Sequence, residues 1–211
     1  MCGQNKNLLV LNGKAVVEYS LNAFINNLYV DDILIACRKE DEQELKEIIK
    51  NIKEAKKISF CLGGNSRQET VYNAISSINS DIVIIQDGAR PILKDRYINE
   101  CIENMEHYNG VTVGAKTKHT IKIVNEEGLV TETTKRSNTY EISTPQCFNR
   151  NVLLKGHIMF KNEEGITDDC MILEKMNEKV KVIDCDYDNI KITTKEDLII
   201  GKQILKEILY P

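Results

Sequence analysis

No C-x-x-C pair occurs in this chain, and only three histidines, His107, His119 and His157, stand among its 211 residues. That scarcity argues against a zinc site built on Cys and His spacing. The seven cysteines, Cys2, Cys37, Cys61, Cys101, Cys147, Cys170 and Cys185, are scattered. Cys37, Cys61 and Cys185 fall at or beside apolar runs, where cysteine behaves as a small buried hydrophobe. Their odd number and the lack of a secretory leader point to a reducing cytoplasm. No apolar run nears the roughly 20 residues that span a bilayer, so no membrane segment is expected. There is no excess of basic charge either: the net charge is −4. A nucleic-acid surface would want a basic stripe, whereas a local basic pocket for a nucleotide is compatible with that average. Repeats, linkers and low-complexity segments are also missing.

What is present is a globular composition, 42% hydrophobic and 28% charged, over a length that suits one domain with a sizeable core. Short apolar runs at 32–37, 58–62 and 81–85 are nearly continuous rather than alternating, as in strands buried on both faces of a parallel sheet. Between them apolar residues recur at helical spacing: Val16 to Leu28, Leu45 to Ile52, Val71 to Ile78 and Ile98 to Met105. Strands alternating with helices read as βαβ units with right-handed crossovers. Beyond a strand at 111–115 the texture changes. Residues 120–124 and 129–133 alternate around the turn Asn125-Glu126-Glu127-Gly128, the pattern of a β-hairpin. No helix flanks it, so it reads either as a projecting arm that pairs with a second subunit or as a plain surface hairpin. Helices at 152–160 and 169–176, a strand at 180–184 and a last helix from Thr193 or Thr194 to about Leu209 complete the chain. Glu196, three residues after Thr193, suggests a capping box there.

Five polar clusters fall in order at strand ends or in loops, as they do around a polyphosphate site in an α/β fold. Gly63-Gly64, before Asn65-Ser66-Arg67-Gln68-Glu69-Thr70, follows a strand and opens a helix. Free N–H groups there could hold a base or a phosphate, although Gly-Gly also marks simple turns. Asp87-Gly88-Ala89-Arg90-Pro91 follows the most apolar strand. Asp87 there could meet a phosphate-bound magnesium ion and Arg90 a phosphate, or the two could form a structural pair. Thr144-Pro145-Gln146 comes next. Thr167-Asp168-Asp169 reads chiefly as a helix cap and a positioning element. Asp188 and Lys191 flank an apolar strand end; aimed at one cleft, they would supply a metal ligand and a cation for developing charge, and otherwise a surface ion pair.

In this order the clusters, together with Thr120-Ile121-Lys122, Phe148 and Asn189 to Leu198, resemble the 2-C-methyl-D-erythritol 4-phosphate cytidylyltransferases of non-mevalonate isoprenoid synthesis. The resemblance covers essentially the whole chain. It implies a single domain over 1–211 with a Rossmann-like, mostly parallel sheet flanked by helices, of the nucleotide-diphospho-sugar transferase type, and a hairpin arm at about 116–142. It implies CTP and a polyol phosphate as substrates, magnesium as the ion, and a homodimer formed through the arm. Lys6 and Lys191 would stabilise charge on the α-phosphate, and Asp87, with Asp188, would serve the metal. Gly64, Asn65, Arg67, Thr70 and Gly88 would bind CTP. Arg90, Thr120, Arg136, Thr144 and Asp188 would bind the acceptor, with Thr120 and Arg136 reaching it across the dimer. One departure stands out: the family's opening strand and its A-A-G-x-G-x-R-M loop are expected upstream of Met1. Gln86 also stands where His is common, and Asn7 where Gln is common. A ribitol-5-phosphate cytidylyltransferase and a truncated, inactive nucleotide-binding remnant are the alternative readings. The Thr120-Ile121-Lys122 arm and the Arg136-Ser137 pair are more similar to the isoprenoid enzyme.

Overall fold

The computed structural model describes residues 5–50, 52 and 57–209. The opening strand and glycine-rich loop expected upstream of Met1 fall outside the described residues. A short antiparallel pair, β1 (Val10–Leu11) and β2 (Lys14–Ala15), leads into α1 (Val16–Asn26). The α/β alternation then runs β3 (Asp32–Cys37), α2 (Glu42–Lys50), β4 (Lys57–Leu62), α3 (Arg67–Ser76), β5 (Ile82–Ile85), α4 (Asp95–Asn104) and β6 (Gly110–Lys116). A hairpin of β7 (Lys122–Val124) and β8 (Val130–Thr133) follows, with all its residues exposed. The chain finishes with β9 (Tyr140–Asn149), α5 (Arg150–Met159), α6 (Asp169–Lys175), β10 (Val180–Asp184) and α7 (Lys195–Leu209).

The α/β class is as expected, and the sheet within it is mixed. Four strands stand in the order β10-β6-β9-β5; β10 and β6 run parallel, whereas β9 runs antiparallel to both of its neighbours. β3 and β4 form a separate parallel pair. Among the described residues no ladder joins that pair to the four-stranded sheet. Strand β9 was not legible in the sequence, because Thr144-Pro145 at its centre reads as a loop. The register slips there, Thr112 facing Gln146 while Val113 faces Ser143. A bulge of this kind re-aims a side chain, and here it turns Thr144 toward the site.

Local chemistry sets the helix starts. Ser66 Oγ accepts from Glu69 N to cap α3, Asn149 caps α5 and Asp168 caps α6. The capping box of α7 is Thr194 with Asp197, not Thr193 with Glu196: Thr194 N donates to Asp197 Oδ2 and Asp197 N to Thr194 Oγ1. The core divides by layer. Phe148, Leu153, Ile172 and Leu173 pack α5 and α6 on one side of the sheet. Tyr97, Cys101, Val111, Val113 and Ile183 pack α4 on strands β6, β9 and β10. Each such apolar side chain contributes roughly 1.5–3 kcal/mol relative to exposure. α5 and α6 approach closely at Gly156, where a Cβ would overlap the Ile172 side chain.

Beside α4, Lys94 Nζ reaches Asp186 Oδ2 and Asp188 Oδ2, both at 2.7 Å, and Tyr97 Oη donates to Asp186 Oδ2 at 3.1 Å. Burial pushes the Tyr97 phenol up to about 12 from its ordinary 10.0. Burial opposes the charge of Lys94, but Asp186 and Asp188 outweigh it and push the ammonium up to about 12 from 10.5. Both groups bind their protons more tightly in the folded chain. The stability they contribute is therefore complete below about pH 10 and lost as the pH rises toward 12. Thermal denaturation followed against pH should show the midpoint falling over that alkaline window, with a shallower fall in Lys94→Met.

Candidate active site

The loop that leaves β5 is held by two others. Asp87 N donates to Thr144 Oγ1 at 3.0 Å, so the bulge in β9 fixes the backbone of Asp87. Arg90 Nη1 donates to Asn189 O at 2.8 Å, and Ile192 N to Ala89 O at 2.8 Å. Asn189, itself buried, donates through Nδ2 to Ser143 Oγ and Thr144 O. Segments 87–92, 143–146 and 188–192 are thereby locked at the C-terminal end of β5. Strand β10 ends at Asp184, and 188–192 is a turn and an extended loop rather than the expected strand end. The reason is its hydrogen bonding, since Ile192 pairs with the Ala89 carbonyl instead of a strand.

The lock aims charge at one point. Lys191 Nζ stands 2.9 Å from Asp87 Oδ2, and Arg90 Nε stands 3.4 Å from the same oxygen. Burial opposes ionisation of Asp87, but Lys191 outweighs it, with help from Arg90 and Arg67, and holds the carboxyl below the ordinary carboxylate range. The Lys191 side chain is 43% exposed, so its ammonium remains available to a ligand. A 3-10 helix at Lys6–Leu8 lies against this loop: a Cβ on Gly88 would sit 3.2 Å from the Asn7 side chain. Lys6 is half-buried in that helix.

The Gly63-Gly64 turn is closed from within. Gly64 N donates to Thr70 Oγ1 at 2.9 Å and Asn65 N to Glu69 Oε2 at 2.6 Å. The N–H groups expected to be free for a base or phosphate are thus engaged by the first turn of α3. A Cβ on Gly64 would overlap the Glu69 side chain, so only glycine lets the turn close. Arg67, the first residue of α3, donates through Nη2 to Asp169 Oδ2 at 2.7 Å. Burial works against the Arg67 charge, yet Asp169, Asp87 and Asp168 raise its pKa above the ordinary value. Arg67 and Asp87 each feel the other's charge, which brings the α3 end and the β5 loop into one electrostatic site.

Of the expected residues, Asp87, Lys191, Arg90, Thr144, Gly88 and Arg67 come together. Thr144 does so as a brace, being 4% exposed. Thr120 and Arg136 lie on the exposed arm, Arg136 in a 3-10 turn at Arg136–Asn138, with no bond to the Asp87 cluster among the described residues. Asp188 binds Lys94 through Oδ2, while its Oδ1 is buried without a partner. Asp168 and Asp169 do the capping and positioning expected of them: Asp168 Oδ1 caps α6 and its Oδ2 accepts from Gln146 Nε2. Four contacts were not read as such: Asn189 as the anchor, Asp169 as the partner of Arg67, Lys94 as the partner of Asp188, and His157 Nε2 at 3.1 Å from Asp169 Oδ1. Asn189 lay inside a quoted cluster, but nothing around His157 in the sequence marks it.

No group of three or more metal-ligating side chains occurs among the described residues. An ion carried in by a polyphosphate needs fewer, because magnesium is ordinarily held by one or two carboxylates together with substrate phosphates. Asp87 keeps Oδ1 clear of protein partners among the described residues, and the buried Asp188 Oδ1 has an unmet acceptor. This donor set fits a nucleotide-borne divalent ion.

A carboxylate bonded to an accessible ammonium, with further cations braced around a strand end, suits transfer of a phosphorus-linked group by positioning and charge. The fold is that of a nucleotidyltransferase. Known proteins narrow the class. The model of the IspD family, 2-C-methyl-D-erythritol 4-phosphate cytidylyltransferase, matches residues 1–207. The enzyme of that name from Clostridium perfringens is 38% identical over 204 residues, 96% of this chain and 91% of its own. The Fusobacterium nucleatum enzyme is 40% identical over 197 residues, 92% of this chain and 85% of its own. Among solved structures, the 4-diphosphocytidyl-2C-methyl-D-erythritol synthase of Anaerococcus prevotii superposes with a TM-score of 0.90 at 28% identity, covering 97% of this chain and 94% of that one. The chain belongs to the 2-C-methyl-D-erythritol 4-phosphate cytidylyltransferase family.

Proposed function

We propose that the protein transfers CMP from CTP to 2-C-methyl-D-erythritol 4-phosphate and releases pyrophosphate, a step in making isoprenoid precursors. The observation that carries the reading is Lys191 bonded to Asp87 where three loops lock together. A phosphate oxygen of the acceptor attacks the α-phosphorus in line. The new O–P bond forms as the bond to the bridging oxygen breaks, and the electron pair leaves with pyrophosphate. No protein nucleophile is required. Lys191 and Lys6 neutralise charge gathering on the α-phosphate, Arg67 holds the nucleotide beside the Gly64–Thr70 turn, whose Gly64 and Asn65 N–H groups are engaged within the turn, and Arg90 keeps the Asp87 loop in shape. A magnesium ion held by Asp87, with Asp188 in support, would draw charge from the triphosphate and favour departure of pyrophosphate.

The acceptor side is assigned to the arm. Among the described residues Thr120 and Arg136 have no partners in the Asp87 cluster, and the arm exposes Ile123, Val124, Leu129 and Val130. An apolar hairpin of this kind gains by packing on a second copy, which gives a homodimer in which Arg136 serves the partner's acceptor phosphate. A cytoplasmic location accords with six unpaired cysteines among the described residues. Among the described residues no helix is long and apolar enough to cross a membrane.

Pyrophosphate release from CTP and magnesium tests the reaction, with 2-C-methyl-D-erythritol 4-phosphate and ribitol 5-phosphate as rival acceptors. Release with the first alone is expected; release with ribitol phosphate alone would move the protein to the other acceptor. Arg136→Ala removes a charge-assisted contact worth about 1.5–3 kcal/mol, so the acceptor KM should rise about tenfold or more while the CTP KM moves far less. Equal changes in the two constants, or a monomer by light scattering, would remove the arm from the acceptor site.

A further inference from the structure

Behind Arg67 lies a chain of polar groups that the transfer reaction does not use. Asp169 is 0% exposed and His157 2% exposed, the imidazole standing 6.5 Å from the Tyr72 ring between centroids. The Asp169 carboxylate is shared: Oδ2 accepts from Arg67 Nη2 at 2.7 Å, and Oδ1 lies 3.1 Å from His157 Nε2. Three helices meet through it, α3 bringing Arg67, α6 Asp169 and α5 His157. An ionised carboxylate only accepts, so the ring must present Nε2–H to it. The Nδ1 atom agrees with that tautomer, being buried with no partner to receive a proton.

Resting on the nucleotidyl-transfer reading, we propose that His157 is a positioning residue for nucleotide binding. It orients the Asp169 carboxylate, which in turn fixes the Arg67 guanidinium. Two observations separate this from plain core filling. An apolar side chain would fill a buried site without leaving a ring nitrogen unpaired, as His157 Nδ1 is. Further, only Nη2 of Arg67 is bonded among the described residues, and Arg67 and Asp87 sense each other's charge. The guanidinium is thus tethered at one corner, with its remaining donors turned loose beside the site. Without the hydrogen bond from His157 the carboxylate can rotate, and the tether of Arg67 loses its direction.

The test is a variant series read as separate constants. His157→Leu should raise the CTP KM about five- to tenfold with kcat within about threefold, the pattern of lost binding rather than lost chemistry. His157→Gln keeps an N–H near the Nε2 position and should recover most of the affinity. In an Arg67→Ala background His157→Leu should add nothing to the CTP KM, because its effect runs through Arg67. Additive effects in that cycle, or a Leu variant with unchanged KM, would overturn the proposal. Nitrogen-15 NMR gives a readout independent of turnover. In the wild type, His157 should be protonated at Nε2 and the Arg67 Nη protons slow to exchange. Those protons should become fast in His157→Leu. A ring protonated at Nδ1 instead would refute the proposal even if the Leu variant does not fold. Wild-type protein that fails to release pyrophosphate yet shows this coupling would sink the transfer reading and leave the tether standing.

Discussion

Lys191→Ala lowers kcat by about a thousandfold, a loss of about 4 kcal/mol from the transition state, while the folded state barely notices. The two halves of this expectation rest on different features of one residue. The side chain of Lys191 is 43% exposed, and among the described residues its one ion pair is with Asp87. An ion pair so open to water contributes at most about 1 kcal/mol to folding, which for a domain of this size moves the thermal midpoint by no more than about 2–4 °C. In the reaction the same ammonium faces a phosphate from which water is displaced, and there its charge counts for far more. A second signature follows from Asp87. Its carboxyl lies below the ordinary range although burial opposes ionisation, chiefly because Lys191 is bonded to it. Without Lys191 that pKa rises, so the acid limb of the residual activity should move to higher pH. Stability linked to Asp87 has the matching sign: it is present above the ordinary carboxylate pKa and lost as pH falls through the depressed folded value. Initial rates with saturating CTP and acceptor from about pH 3 to about pH 8, a window that takes in ordinary carboxylate titration, beside a melting curve for each variant, would check this. Unchanged kcat would remove Lys191 from the chemistry, whereas loss of the melting transition would make its role structural.

What could be read from the sequence follows from how local each signal is. The continuous apolar runs at 32–37, 58–62 and 81–85 did become β3, β4 and β5, but the burial on both faces expected of them did not follow: β3 and β4 form a two-stranded pair with no fully buried residue, and β5 pairs antiparallel with β9. The hairpin at 122–133 was equally plain, since its turn carries Gly128 at φ 80°. Strand β9 failed the same test. Its central Thr144-Pro145 carries a loop signal, and its partners β5 and β6 lie tens of residues away, where no local pattern reports pairing. The site divides in the same manner. Asp87, Arg90 and Lys191 stood out in the sequence as members of polar clusters, and the structure brings the three together, Lys191 from a loop rather than a strand end. The brace from Thr144 to Asp87, the Asn189 anchor and the engagement of the Gly64 and Asn65 N–H groups are decided by packing between loops distant in sequence. His157 is the extreme case, a lone histidine in an amphipathic helix whose meaning depends on α6 bringing Asp169 to it.

Asp169→Ala should cost about 3 kcal/mol of stability and lower the thermal midpoint by roughly 6–12 °C, on the loss of two buried charge-assisted bonds and the scaling for a domain of this size. The carboxylate is fully buried, so water cannot take its place. Arg67, 38% exposed at its side chain, can swing outward and recover hydration, which keeps the penalty below that of a wholly buried pair. His157 cannot: with Asp169 gone, both ring nitrogens are buried without partners. The decisive measurement is therefore a sign. Introduced into the Asp169→Ala chain, His157→Leu should raise the midpoint, because removing the second partner of a broken buried hydrogen bond relieves the unmet polar group. In the wild-type chain the same substitution leaves the Asp169 Oδ1 acceptor unmet and should lower it. Urea unfolding of the four proteins in this cycle would give the coupling directly. Equal destabilisation by His157→Leu in both backgrounds would mean that the imidazole serves only to fill volume, and that Arg67 is held by Asp169 alone.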